Sequence, residues 1–382
     1  MKYKLKDIAE IIAGGTPSTK MEQYWNGEIA WITPKDLANH SGRYISRGER
    51  NITKEGLENS STKLMPINSV LFTSRAPIGY VAIAKNQVCT NQGFKSLVCK
   101  DSICYYMYIY YWLIYNTDYI KSKANGSTFQ EISTNVMKEI EIDLPSIDYQ
   151  KKVANILKKI DEKIELNNQI NDNLYKMMKI KFEDWITNLN KYEVSSLSKM
   201  ANYTNGLAMQ KFRPKDNEES LPVIKIKEMN DGITENTERC STNIKDEVII
   251  NNGDVLFAWS GTLCMSIWGK GKAGLNQHIF KVTSDKYPKW FYYFWTLKHL
   301  NKFKMIAAGK ATTMGHIKRG ELDISEVLIP EDKELQEMHK IMQPLFNKYI
   351  NNLIQNETLT QLRDTLLPKL MNGEIDLDKI EN

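Results

Sequence analysis

The chain repeats itself once, at a fixed spacing. Val70, in Asn68-Ser-Val-Leu-Phe-Thr-Ser, and Val255, in Gly253-Asp-Val-Leu-Phe-Ala-Trp-Ser, lie 185 positions apart. Asn91-Gln92 and Asn276-Gln277, Ile132 and Ile317, and Pro145 and Pro330 share that offset. One offset recovered at four separated anchors means two homologous halves. Whatever fold the first half adopts, the second must adopt as well.

Each half reads in the same order. An opening at Leu5–Ile8 or Leu197–Met200 comes first. Short β-branched and aromatic runs bounded by Gly, Asn and Pro follow, which is the signature of strands. They are Ile29–Ile32, Val70–Thr73 and Val81–Ala84 in the first half, and Val223–Ile226, Val255–Ala258 and Ile279–Val282 in the second. An aromatic-rich helix is expected at Tyr105–Tyr115 and at Trp290–His299, then a glycine-centred loop, then a strand ending in the proline. Such helices are expected to be core rather than platforms for stacked bases. Each half is thus a mixed α/β globule of the α+β class.

After each proline the pattern becomes a long helix. Tyr149–Trp185 has neither Gly nor Pro; Lys333–Leu367 contains Pro344, where a kink or early break is expected. Apolar residues recur at alternating four- and three-residue steps, as in a coiled-coil seam. They are Val153, Leu157, Ile160, Ile164, Leu174 and Met178 in one helix, and Met338, Met342, Leu345, Tyr349 and Leu359 in the other. Mid-seam, both carry asparagines at the same offset: Asn167 and Asn171, Asn352 and Asn356. The domain plan is a globule at 1–146, a helical region at 147–190, a globule at 191–331, and a helical region with tail at 332–382.

Composition excludes several classes. The chain is 42% hydrophobic and 25% charged, which argues against disorder. A net charge of +5 permits an anionic partner without demanding one. Five cysteines without a C-x-x-C spacing fit reduced thiols better than a disulfide framework or zinc site. The most apolar stretch, Ile103–Tyr115, is too short to span a bilayer, and no signal peptide opens the chain, so a cytoplasmic location is expected.

Catalytic signatures are missing. No two of the 11 prolines are adjacent, so the polar-Pro-Pro-aromatic loop that grips a flipped base's amine is absent. No G-x-G cofactor loop follows a first strand, and Gly269-Lys-Gly-Lys-Ala-Gly fails the phosphate-loop spacing, reading instead as a basic turn. The five histidines show no metal spacing.

Binding features are better represented. Ser74 and Arg75 close a strand at a turn before Pro77, where an arginine can reach a guanine edge, a phosphate or a local carboxylate. The matching loop of the second half offers Ser260 and Thr262 beside Trp259, with no arginine. Asn91, Gln92, Asn276 and Gln277 have amides suited to adenine, or to a structural bond with the backbone. Lys35 and Lys227 hold equivalent places after a strand, and Lys310 lies in the second glycine-centred loop. All are candidate DNA-binding residues, with solvated lysines the plainer alternative for Lys35 and Lys227.

These residues resemble one family. Ile8-Ala-Glu-Ile-Ile-Ala-Gly-Gly-Thr-Pro-Ser, Trp31-Ile-Thr-Pro-Lys-Asp-Leu, Leu71-Phe-Thr-Ser-Arg-Ala-Pro-Ile-Gly and Thr90-Asn-Gln-Gly-Phe are similar to the specificity (S) subunits of type I restriction–modification systems. So are Leu144-Pro followed by Gln150-Lys-Lys-Val-Ala, and the close Leu366-Leu-Pro-Lys-Leu-Met-Asn-Gly-Glu-Ile. The resemblance implies two target recognition domains, each reading half of a split site in double-stranded DNA, joined by two long helices as an antiparallel coiled coil with pseudo-two-fold internal symmetry. It implies two modification (M) subunits that use S-adenosylmethionine to methylate adenine, and it allows restriction (R) subunits that use ATP and Mg as further partners. The chain itself would bind no cofactor and no metal. The second half departs from the pattern, with Asn202-Tyr-Thr-Asn-Gly-Leu in place of Gly-Gly-Thr-Pro-Ser, so the implied site is asymmetric. An antiparallel pairing would bring Asn167 to Asn356 and Asn171 to Asn352, fixing register; the plainer alternative is that these asparagines face solvent where the seam loosens. Two other classes remain open: a methyltransferase or nuclease with an unrecognised site, and a DNA-binding protein that works without an enzyme.

The missing cofactor loop yields a direct expectation. Calorimetric titration of the isolated chain with S-adenosylmethionine should show no binding, and micromolar affinity would favour the enzyme reading.

Overall fold

The computed structural model describes residues 1–38, 40, 42–126, 130–309 and 315–377. It comprises two compact units, Met1–Glu162 with Gln361–Asn382, and Lys163–Thr360.

In the first unit, strands Ala9–Ala13, Lys95–Cys99, Val70–Ser74, Ile78–Ala84 and Tyr44–Ile45 form one sheet in that spatial order. Arg50–Ile52, Trp25–Ile32 and Val88–Thr90 form a second, and Lys2–Lys4 pairs antiparallel with Glu141–Asp143. In the second unit, Asn202–Asn205, Ile279–Thr283, Val255–Ala258 and Cys264–Ile267 repeat the first order. Arg239–Ser241, Ser220–Ile224 and Ala273–Leu275 repeat the second, with Ile249–Ile250 added at the edge. Even the mixed pairing recurs: Ala30 lies parallel to Val88, and Val223 to Gly274. Tyr192–Ser196 pairs antiparallel with Glu326–Pro330, as the corresponding strands do in the first unit.

The offset is not uniform. The opening helices Leu5–Ile8 and Leu197–Met200 are 192 apart, whereas the strands that begin at Val70 and Val255 are 185 apart. The second half is therefore shorter by seven residues (192 less 185) between these elements. Ile226, expected to end a strand, instead starts the helix Ile226–Asp231. Glu228 accepts from the Lys225 backbone N–H, capping that helix as Asp36 does from Thr33 in the first unit.

The aromatic helices are core. Met107 to Leu113 of Tyr106–Tyr115 are buried, as are Trp290 to Thr296 of Lys289–Ala308. With residues buried on every side, each helix packs against its sheet and against a long helix at once. All five cysteines are free, three of them buried.

The long helices span Ile147–Thr187 and Asp332–Met371. The Ser146 hydroxyl accepts from the Tyr149 N–H at 3.3 Å, a helix-starting cap, and Asp148 adds favourable charge in the first turn. The second helix runs unbroken through Pro344, against the expectation of an early break. Pro344 and Lys340 are exposed, so the carbonyl that loses its partner faces water, while Met342 and Phe346 are buried on the opposite side and hold the turn. Gly373, at φ +71°, terminates the second long helix, with Glu374 N–H bonded back to the Lys369 carbonyl.

The helices pair antiparallel within each unit. In the second, Asn167 Nδ2 donates to Asn356 Oδ1 at 2.8 Å and Asn352 Nδ2 to Asn171 Oδ1 at 2.9 Å. Asn167 also donates to Gln355 Oε1 at 2.8 Å, Asn171 to the Tyr349 carbonyl at 3.2 Å, and Asn356 to Asn168 Oδ1 at 2.7 Å. Asn167, Asn171 and Asn352 are buried. In the first unit, Arg363 Nη1 reaches Asp161 Oδ1 at 3.1 Å and the Tyr111 hydroxyl donates to Asp161 Oδ2 at 2.6 Å. Burial pushes the Tyr111 phenol up, and the neighbouring Asp161 carboxylate adds to the shift. A carboxylate so enclosed is tolerable only because it is paired.

These amide pairs predict a sign reversal. Asn352→Leu alone leaves the buried Asn171 Oδ1 without its donor, facing an alkyl chain, and should cost about 1–3 kcal/mol. Adding Asn171→Leu should recover that loss in full or exceed it, read as a denaturant midpoint in a double-mutant cycle.

Candidate nucleic-acid interface

The two units build corresponding loop clusters on the same backbone frame. The strand Val70–Ser74 ends where Ser74 N–H bonds the Gly93 carbonyl at 2.7 Å and Ile132 N–H bonds the Ser74 carbonyl at 3.0 Å. In the second unit, Trp259 N–H bonds the His278 carbonyl at 3.2 Å, and Ile317 N–H the Trp259 carbonyl at 3.1 Å. Each residue of the second set is 185 beyond its counterpart. Position 75 thus corresponds to 260, 95 to 280, and 131 to 316.

The side chains on that frame differ. In the first unit, Arg75 projects from a bend, about one-third exposed at 37%. Its Nη1 donates to Glu131 Oε2 at 3.2 Å. Lys95, its side chain only 6% exposed, donates to Glu131 Oε1 at 3.3 Å and to Ser74 Oγ at 3.2 Å. Of the three partners weighed for Arg75, the structure holds the local carboxylate. In the second unit Ser260 is buried and forms a backbone bridge with His316. Trp259 packs tilted against His278 at 5.8 Å and edge-on to His316 at 6.4 Å, with its indole N–H on Asn205 Oδ1 at 3.0 Å. Thr262 is exposed beside it. One cluster is ionic and the other aromatic.

The paired asparagines serve the backbone. Asn91 Oδ1 accepts from Gly93 N–H at 2.9 Å, and Asn276 Oδ1 from His278 N–H at 3.4 Å. Each thereby shapes the turn that feeds its cluster. Gly14 and Gly206 press against the Asn91 and Asn276 carbonyls so closely that a side-chain carbon would overlap them. Gly206 therefore replaces Gly14 despite the different surrounding sequence. Gln92 is exposed and its amide oxygen accepts from the Thr16 hydroxyl; Gln277 is half-buried, with its amide nitrogen 3.2 Å from His278 Nε2.

The lysines stand on the surface. Lys35 pairs with Glu49 at 2.8 Å, both side chains mostly exposed, and that hydrogen bond raises the ammonium above its ordinary value. Lys227 is exposed at the equivalent position of its helix. Lys310 lies outside the described residues, with most of its loop and with 127–129 of the corresponding loop. The Gly269–Lys272 segment is a turn: Trp268 Nε1 bonds the Gly271 carbonyl at 2.6 Å and Gly271 N–H bonds Asn252 Oδ1 at 2.7 Å. Among the described residues no His, Cys, Asp or Glu group could hold a metal, and no helix is long and apolar enough to cross a membrane.

Sequence reading missed Lys95, Glu131, His278 and His316. Glu131 and His316 were legible in principle, since each stands one place before the anchors Ile132 and Ile317. Lys95 gave no signal, because a lysine in a strand reads as solvent-facing until the neighbouring strand covers it.

Comparison with known proteins gives a single answer. The type I restriction modification DNA specificity domain matches residues 1–176 and again 190–361, in agreement with the internal repeat. The type I restriction enzyme MjaIX specificity subunit of Methanocaldococcus jannaschii is 33% identical over 412 aligned positions, covering 99% of this chain and 94% of that protein. The EcoR124I/EcoR124II specificity subunit of Escherichia coli is 32% identical over 178 positions, 44% of this chain and 42% of that one. The crystal structure of a type I restriction–modification S subunit from M. genitalium has the same fold, with a TM-score of 0.59 at 15% identity over 97% of this chain and 95% of that one. Two matched domains and full-length similarity place this chain in the family of type I restriction–modification DNA specificity subunits.

Proposed function

We propose that each compact unit reads one half of a bipartite, asymmetric site in double-stranded DNA, and that the chain positions two M subunits there. Those partners use S-adenosylmethionine to methylate adenine; R subunits, with ATP and Mg, join them in complexes that cleave. The chain itself contributes recognition and no catalysis, in the cytoplasm. The observation that carries this reading is the contrast between the clusters. One backbone frame carries Arg75, Lys95 and Glu131 in the first unit, and Ser260, Phe280 and His316 in the second, where Ser260 and Phe280 are buried. Unlike side chains on like frames suit unlike half-sites. Sequence is read by side chains at base edges, whereas phosphate contacts fix orientation. Arg75 suits a guanine edge in the first half-site, and Gln92, Gln277 and Thr262 suit polar contacts near it and its counterpart; Ser74, expected to contact DNA, is instead fully buried with its hydroxyl accepting from Lys95. Asn91 and Asn276 act by shaping the turns. The asparagine pairs set helix register, because any slip would leave a buried amide against an apolar side chain. Register in turn governs half-site spacing.

Methylome sequencing of the host with and without this chain tests the whole reading. A split adenine motif with unlike halves should vanish with the chain. Exchanging residues 1–146 for the equivalent domain of another specificity subunit should change one half of the motif; changes in both halves would refute independent reading. Arg75→Ala should weaken binding to the motif by about 1–3 kcal/mol, as loss of a bidentate guanine contact does. Its ion pair is partly exposed and worth about 0–1 kcal/mol, so the thermal midpoint should fall by no more than about 2–4 °C.

A further inference from the structure

Arg75 and Lys95 meet a single carboxylate. Arg75 Nη1 stands 3.2 Å from one Glu131 oxygen and Lys95 Nζ stands 3.3 Å from the other. The two cations are not equivalent. Lys95 is 6% exposed, so its ammonium needs a counter-ion, and it ties Glu131 in place. Arg75 is 37% exposed, and a pair that open to water is weak. Glu131 therefore stays with Lys95 whether or not Arg75 leaves.

The second unit supports a coupled role for the trio. At the homologous positions stand Ser260, Phe280 and His316. Both cations and the carboxylate are replaced together, although the backbone bonds that join the segments remain. A carboxylate needed only to build the frame would have been kept.

Resting on the reading that the Arg75 loop contacts DNA, we propose that Glu131 is a specificity-determining positioning residue. Anchored by Lys95, it holds Arg75 away from the phosphates of unrelated DNA and releases it to a guanine edge. Charge makes the distinction. Binding to unrelated DNA draws its free energy from cations neutralising phosphates, and a fixed carboxylate beside Arg75 both occupies the cation and repels the phosphate. A guanine edge is neutral and offers O6 and N7 together, so it accepts the guanidinium without that repulsion.

The test uses the full-length chain and two duplexes, one carrying the motif found in the host methylome and one with that motif scrambled. Glu131→Gln alone strands the Lys95 ammonium and endangers the fold. The decisive variant is therefore Glu131→Gln with Lys95→Met, an apolar exchange that Phe280 shows this strand position accepts. Lys95→Met alone is the control. The double variant should bind the scrambled duplex roughly three- to tenfold more tightly at low salt, with a salt dependence steeper by about one ion. Motif binding should gain less, so discrimination falls, and Glu131→Asp should keep most of it. Unchanged affinity for the scrambled duplex and unchanged discrimination, at a normal thermal midpoint, would overturn the proposal. If Arg75→Ala alters neither affinity, the underlying DNA-contact reading fails instead. If Arg75→Ala weakens motif binding while the double variant changes nothing, only the role of Glu131 fails.

Discussion

Leu367 and Leu370, near the end of the chain, are buried in one core with Tyr108, Val153 and Leu157. Phe182 and Trp185, from the helix that follows the first globule, are buried in one core with Trp290, Trp295, Met342 and Phe346. Neither half completes its own interior. Each long helix gives residues to both compact units, so the pairing of the helices is a condition for closing either core. Burying side chains of this size is the dominant favourable term in folding, and here it can be realised only with the helices antiparallel and in register.

Apolar seams alone specify register poorly, since a slip of one turn exchanges one aliphatic contact for another. Polar groups in the seam remove that freedom. The Asn167–Asn356 and Asn171–Asn352 pairs in the second unit, and Asp161 with Arg363 in the first, lose their partners on any slip. Their contribution is specificity at some expense of stability.

The same division between frame and variable side chains runs through the loop clusters. Asn91 and Asn276 close corresponding turns, Gly14 and Gly206 allow corresponding backbone approaches, and Ile132 and Ile317 make corresponding backbone bonds. Upon this shared frame stand an arginine–glutamate–lysine trio in one unit and a tryptophan with two histidines in the other. Duplication kept what holds the loops and varied the side chains that stand on them.

Much of this was legible in the residues. The 185-residue offset established the duplication, and the four-three spacing established two seam-bearing helices with asparagines at matched places; which amides would face one another came only with the antiparallel pairing that the family resemblance implied. Those signals are visible because they depend on periodicity and on homologous position, both of which are properties of the chain itself. Tertiary structure decided the rest. Asn91 and Asn276 could have faced a base edge or their own turn, and only the loop path shows the carbonyl oxygen spent on backbone N–H groups. Pro344 reads as a helix breaker, yet buried neighbours on the far side and water on the near side carry the helix through it. Lys95 and Glu131 are 36 positions apart, and nothing local links them until the strand Lys95–Cys99 lies beside Val70–Ser74. Local pattern determines which elements form; long-range packing decides which side chains meet, because an ion pair or hydrogen bond depends on distance in space rather than along the chain.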